Sequence, residues 1–189
     1  MFGPRRFGEV RDALPGISAN VLTQRLESLE AAGILVRRQL PSPANARVYE
    51  LTPWGYESEP IFQTLGRWAA RSPSHDPTLP LSAASLLLSF RTMLHRKRAR
   101  RVEGKIGLRL GSSAFMVRVH EGELTIVRVA ALELESAHVT LSAAPATLAA
   151  IVYGGRSLAD VEAEGGLTVE GNRALAKSFV ALFELPPKA

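Results

Sequence analysis

The sequence predicts an α+β chain in two parts: a small helical unit closed by a two-stranded hairpin, then a mainly antiparallel sheet covered by helices. Three observations predict it. Residues 6–52 pass from helical periodicity to two short alternating runs, with turn residues at each change. Residues 105–129 hold three alternating runs in succession, and segments of helical spacing follow. Between the two parts, the stretch from Arg71 to Pro80 carries three prolines in ten residues, which breaks regular structure. The expected organisation is a domain over 1–71, a linker over 72–80 and a second domain over 81–189.

In the first part, Phe7, Val10 and Leu14 recur at helical spacing across Arg6–Leu14, and Pro15-Gly16 then forces a turn. Ser18 is a good N-cap for a helix running to Ala32, and Gly33 a good residue to end it. Leu22, Leu26 and Leu29 form its apolar stripe. Strands are expected at Ile34–Leu40 and Arg47–Leu51, joined by the loop Pro41–Ala46. Thr52 caps a further helix with Pro53 at its first position, where a missing N–H costs nothing. That helix is expected to run to Ala70, with Ile61, Phe62, Leu65 and Trp68 on its buried side.

The second part opens with one helix over Leu81–Arg100, in which Phe90 and Leu94, four apart, share a face. Strands follow at Lys105–Leu110, Ala114–His120 and Glu123–Val129, the last two joined by a tight Glu121-Gly122 link. A strand is expected at His138–Leu141, helices at Ala144–Tyr153 and Ser157–Glu164, and a short strand at Leu167–Glu170. A final helix, Asn172–Phe183, carries Leu175, Phe179, Leu182 and Phe183.

Composition excludes several functions. The 189 residues contain no cysteine, which removes disulfides, thiolate catalysis and cysteine-ligated zinc. No apolar run approaches the ~18–20 residues of a membrane span; the stretch Leu81–Phe90 is broken by Ser82, Ser85 and Ser89. The first residues lack the apolar core of a signal peptide, so a cytoplasmic protein without stable membrane association is expected. The four histidines are scattered, and the Gly154-Gly155 and Gly165-Gly166 pairs fit no nucleotide-binding loop. Glu133 and Glu135 fall on one side of an expected extended segment, with nothing to mark either as catalytic. No enzyme, cofactor or metal is expected.

The first part has the pattern of a DNA reader. At about 100° per residue, Asn20, Gln24, Glu27 and Ala31 fall opposite the leucine stripe, with Thr23 at the flank. Asn and Gln can bond adenine in bidentate fashion, and Thr can touch a thymine methyl. Asn20, Thr23 and Gln24 are therefore the candidate base readers, with Ser18 and Arg25 beside them. Arg5 and Arg6 lead into the first helix, and Arg37, Arg38 and Arg47 flank the hairpin; all five are candidate phosphate contacts. By pattern alone, a solvated amphipathic helix beside a hairpin fits as well.

Residues 3–70 resemble the HxlR family of bacterial winged-helix regulators. The resemblance rests on Gly3-Pro4-Arg5-Arg6-Phe7-Gly8-Glu9-Val10, Leu14-Pro15-Gly16-Ile17-Ser18, Val21-Leu22-Thr23-Gln24-Arg25-Leu26, Leu29-Glu30-Ala31-Ala32-Gly33-Ile34-Leu35 and Val48-Tyr49-Glu50-Leu51-Thr52-Pro53-Trp54-Gly55. Trp68 matches an aromatic late in the closing helix. It implies a homodimer on double-stranded DNA, with half-sites about one helical turn (~34–36 Å) apart. Such regulators carry one or two helices, often with a cysteine, before Gly-Pro-Arg-Arg-Phe; here the first helices are absent, so an N-terminally truncated winged helix is expected.

Residues 81–185 resemble the sterol-carrier-protein-like fold. The matching pieces are the three strands Ile106–Leu110, Phe115–Val119 and Leu124–Val129, the stretch Thr147-Leu148 to Gly154-Gly155-Arg156-Ser157-Leu158, and Gly166-Leu167-Thr168-Val169-Glu170-Gly171 before the last helix. In some relatives an apolar tunnel holds lipid-like ligands. Phe90, Leu94, Phe115, Val117, Ile151, Val152, Phe179 and Phe183 would supply such a pocket for a hydrophobic small molecule. They would equally fill a core.

The charge is concentrated. Residues 91–101 hold six Lys and Arg and no acid, leaving 17 Lys and Arg against 18 Asp and Glu elsewhere. The run reads as a solvated helix end favoured by the macrodipole, as a second DNA-phosphate contact, or as a contact to anionic membrane. Two function classes follow: a DNA-binding regulator with a ligand or dimer module, or a lipid-binding, carrier-like protein whose incomplete winged helix serves only for dimerisation.

Overall fold

The computed structural model describes residues 1–42, 44–76 and 79–189. Pro43 of the expected hairpin loop and Pro77-Thr78 of the expected linker lie outside the described residues. The chain divides into two compact units, Met1–Phe62 and Gln63–Ala189. The division falls before the proline-rich stretch, because residues 70–72 are bound to the C-terminus. Ala189 N donates to Arg71 O (2.9 Å), and Lys188 Nζ donates to the carbonyls of Ala70 and Ser72.

The first unit contains α1 (Phe7–Asp12), α2 (Ala19–Ala31), the hairpin β1 (Leu35–Gln39) and β2 (Arg47–Leu51), then α3 (Pro53–Tyr56) and the start of α4 (Glu59–Ala69). Ser18 Oγ accepts from Val21 N and starts α2. Gly33, at φ +70°, ends it in a conformation that a side chain disfavours. Thr52 ties the end of the wing to the end of α2: its hydroxyl donates to Gly33 O (2.7 Å) and accepts from Gly55 N (2.9 Å). A Cβ at residue 55 would sit 2.1 Å from Ile34 O, so only glycine permits this approach. The core is small, with Leu22, Leu26 and Leu35 buried and Phe7, Val10, Ile17, Tyr49 and Leu51 packed partly against them.

Three expectations fail in this region. Leu29 is exposed, so the buried stripe of α2 contracts to Leu22 and Leu26. The helix expected from Pro53 to Ala70 is broken between Tyr56 and Glu59. Pro60 is the reason: it has no N–H for Tyr56 O, and its ring collides with the carbonyl four residues back. Finally, Ile61, Phe62, Leu65 and Trp68 are exposed rather than buried, Trp68 at 72%. Their spacing identifies an apolar face but not what covers it.

The second unit carries α5 (Ala83–Met93), α6 (Arg96–Ala99), β3 (Gly104–Leu110), β4 (Ser113–His120), β5 (Glu123–Val129), a 3-10 helix (Ala131–Ser136), β6 (Val139–Ala143), α7 (Pro145–Val152), α8 (Leu158–Ala163), β7 (Leu167–Gly171) and α9 (Arg173–Val180). Its sheet runs β5-β4-β3-β6-β7, antiparallel throughout except for the parallel pair β3 and β6. Glu121 and Gly122 both take positive φ at the β4–β5 turn, as a two-residue hairpin link requires. Arg91 donates to Ile126 O (3.0 Å) and so occupies part of the open edge of β5. Among the described residues, no helix is long and apolar enough to cross a membrane.

The helix expected over Leu81–Arg100 is two. Leu94 leaves the helix and forms an isolated bridge with Phe183. His95 N donates to Leu182 O (2.7 Å) and Glu184 N to Met93 O (3.1 Å). These cross-chain bonds replace helical ones and seat Leu182 and Phe183 inside. Leu94 therefore does not share a helix face with Phe90, and α9 stops at Val180 instead of reaching Phe183. Glu133 and Glu135 stand on the 3-10 helix, about 120° apart around its axis, not on one side of a strand.

Candidate nucleic-acid interface

The outer face of α2 is where the base-reading candidates stand. Leu22 and Leu26 are buried on the inner side, at 2% and 6% exposure. The rotation that buries them turns Asn20, Thr23 and Gln24 outward, and all three are exposed. No acidic residue occupies the first turn of α2, so its N-terminal amides keep their positive end free of a neutralising carboxylate. Ser18 is engaged as the cap, and Arg25 lies exposed on the flank.

The wing arginines divide into two kinds. Arg37 reaches back to α2, where its Nε lies 2.7 Å from Glu30 Oε2 and a second nitrogen lies 3.9 Å from Glu27. Its guanidinium also stands 5.9 Å above the Tyr49 ring. The hydrogen bond to Glu30 raises the Arg37 pKa further above its ordinary value. Arg38 is paired with Glu50 across the hairpin. Arg47, in contrast, makes no side-chain contact with an acid among the described residues. Arg37 therefore fixes the wing against α2, while Arg47 and Arg25 remain available to an anion. Glu30 gave no signal in the sequence, because it is seven residues from Arg37 across a turn.

Arg5 is held by its backbone. It exchanges hydrogen bonds with Tyr49, Arg5 N to Tyr49 O at 2.9 Å and Tyr49 N to Arg5 O at 2.8 Å, and so extends the wing by one bridge. Arg6 is exposed at the N-cap of α1, and its N–H donates to Glu9 (2.7 Å).

In the second unit, six of the eight residues named for an apolar pocket are buried, and three of them pack on one another. Phe90 and Phe183 stack at 4.3 Å, and Phe179 meets both edge-on at 5.8 and 5.2 Å. Phe115, Val117 and Ile151 are buried, while Leu94 and Val152 are partly exposed. One polar pair borders this group: Ser89 Oγ and Tyr153 OH, 2.9 Å apart. Burial pushes the Tyr153 phenol well above its ordinary pKa, so it stays protonated. Half of the six cations in the basic run are engaged in the fold: Arg96 pairs with Glu123 (2.5 Å), Arg98 with Glu184 (2.9 Å), and Arg91 holds Ile126 O. Lys97, Arg100 and Arg101 make no ion pair among the described residues.

Residues 1–76 match the model of the HxlR-like helix-turn-helix, and residues 86–184 match that of the SCP-2 sterol transfer family. The HTH-type transcriptional regulator YodB of Bacillus subtilis (strain 168) is 38% identical over 69 residues, which are 36% of this chain and 62% of that protein. A solved structure of its reduced form is 35% identical, with a TM-score of 0.35, and the match covers 39% of this chain and 74% of that one. The ubiquinone synthesis protein UbiJ-SCP2 is 18% identical over 69% of this chain and 92% of that one, with a TM-score of 0.40. The chain spans less than two thirds of the length of the curated relatives it matches.

Proposed function

We propose that this chain, which belongs to the SCP-2 sterol transfer family through residues 86–184 and carries an HxlR-like helix-turn-helix over residues 1–76, is a cytoplasmic, sequence-specific DNA-binding transcriptional regulator. The observation that carries this reading is the two-sided α2. Leu22 and Leu26 are locked into the unit, and Asn20, Thr23 and Gln24 stand clear on the opposite face. A helix of that kind fits the ~12 Å major groove and reads base edges there. Arg6, Arg25 and Arg47, with Arg5 at the wing's edge, contact phosphate and fix the register. Arg37 and Arg38 act first on the wing, holding it in place relative to α2.

The chain acts as a homodimer. The apolar face of α4, with Ile61, Leu65 and Trp68, supports this, because large apolar patches on a soluble surface mark interfaces. The second unit modulates DNA binding by taking a hydrophobic small molecule among Phe90, Phe179 and Phe183, whose packing must part to admit it. No thiol switch is open to these 189 residues, since they contain no cysteine. No catalytic role is proposed.

A second reading has one observation in its favour. Two of the three wing arginines are already neutralised by Glu30 and Glu50, as suits a lipid-binding or carrier-like protein whose winged helix only dimerises. Fluorescence anisotropy on the duplex upstream of its own gene, against a scrambled duplex, separates the two. The regulator reading expects preference for the native duplex by about a thousandfold or more and affinity that falls steeply with salt. Equal binding to both duplexes at every salt concentration would establish the carrier reading instead.

A further inference from the structure

Helices cover one face of the five-stranded sheet; the other carries a polar cleft. Strand register places Gly107 beside Thr140 and Thr140 beside Glu170, and Arg109 follows two residues along β3 on the same side. The 3-10 helix crosses this face and inserts Leu134, which is 4% exposed. Between them lies an open cleft of 290 Å³, lined by Arg109, Leu134, Glu135, Ala137, Thr140 and Glu170. Its volume is near the lower limit of small-molecule sites, roughly 300 Å³.

Two independent features of the cleft call for a guest. Thr140 is only 7% exposed, yet its hydroxyl has no hydrogen-bond partner among the described residues. It is not a sealed atom, so it meets solvent through the cleft. Gly107 keeps that side clear: a Cβ there would lie 2.7 Å from Thr140 Oγ1 and 3.2 Å from Leu134 Cδ2. A polar group so deeply set ordinarily has a partner. The second feature is electrostatic. Arg109, Glu135 and Glu170 share the cleft without an ion pair to one another or to any other described residue. Some arginines and glutamates of the unit do pair, Arg156 with Glu164 and Arg173 with Glu162, while Arg100 and Arg101 do not. One guanidinium and two carboxylates thus line one concavity with none of them matched.

We propose that this cleft binds a small zwitterion, a molecule bearing one carboxylate and one ammonium group. Arg109 takes the carboxylate through its planar fork of donors. Glu135 and Glu170 hold the ammonium, and the Thr140 hydroxyl donates to a carboxylate oxygen. The cleft is on the sheet face away from the aromatic cluster, so this site does not depend on the apolar-ligand reading.

The test is amide NMR of the full chain titrated with γ-aminobutyrate, with butyrate and propylammonium as its single-charge halves. The zwitterion should give saturable shifts confined to residues 107–109, 133–141 and 168–171. Each half should bind about tenfold or more weakly, the loss of one charge-assisted contact. Arg109→Gln and Glu170→Gln should each lose about the same factor. Thr140→Val should weaken binding, and Thr140→Ser should restore it. A thermal melt of each variant checks its fold; if Glu170→Gln melts early, Glu135→Gln, outside the sheet, takes its place. Absence of saturation, a half that binds as well as the whole, or variants that keep full affinity would each overturn the proposal.

Discussion

The two units bury their apolar residues in different ways. In the second, Phe90, Phe115, Phe179, Leu86, Leu87, Ile106, Leu108, Leu141 and Leu148 are all sealed between sheet and helices. In the first, the buried cluster is Leu22, Leu26 and Leu35, while Leu29, Val36, Trp54, Ile61 and Phe62 stay exposed. A small unit has too much surface for its volume to hide its apolar residues alone. Both units leave apolar side chains on the surface, the second at Leu65, Trp68, Leu79 and Leu132, but only the second also seals a large core of its own. On the proposed function, the same contrast divides the chemistry, with the DNA-reading side chains on the thinly packed unit and the hydrophobic ligand in the densely packed one.

The strongest test of this contrast is Phe179→Ala. It removes the ring that meets both Phe90 and Phe183 edge-on, and should cost the second unit about 3–5 kcal/mol in chemical denaturation. A loss below about 1 kcal/mol would mean that the cluster is loosely packed. Next is Trp68→Ala. Because Trp68 is 72% exposed, the monomer should lose within about 0.5 kcal/mol, while dimerisation followed by sedimentation should weaken by about 2 kcal/mol or more. An unchanged dimer would remove α4 from the interface.

Smaller effects probe the DNA face. Gln24→Ala should cost about 1–3 kcal/mol of specific binding at one base position, while Arg47→Ala should weaken all duplexes alike and reduce the salt slope by about one. Were both variants to act alike, the division between reading and anchoring would fail. Smallest is the pH response at the β4–β5 turn. The hydrogen bond His120 donates to the Glu103 carboxylate raises the His120 pKa above its ordinary value, and Glu103 is lowered first by the Glu121 N–H and then by His120. A raised histidine favours the folded state most below its unfolded pKa, and that contribution fades as pH rises through the folded one. An NMR titration of His120 should therefore show an elevated midpoint, and Glu103→Gln should bring it back towards the ordinary value.

Much of the candidate interface was legible because it depends on local pattern. The Ser18 cap and the Gly33 terminator are decided within a few residues of chain, and with Leu22 and Leu26 turned in against Leu35 they leave Asn20, Thr23 and Gln24 outside. The break before α4 was not read, because helical periodicity runs straight through Pro60, the residue that imposes it. The break at Leu94 was not legible. It depends on a bridge to Phe183, nearly ninety residues away, and no local propensity records such a partner.

The sequence by itself determined α2, the strands of the wing and of the sheet, and the amphipathic faces of α2 and α4. Those follow from backbone geometry at a period of 3.6 or 2 residues. Only the tertiary structure decided which charges are free. Arg37 and Arg38 are paired, Arg47 is not, and Arg109, Glu135 and Glu170 meet around a hydroxyl without pairing. Charge availability is a matter of distance in space, and residues on separate strands acquire that distance only when the sheet has formed.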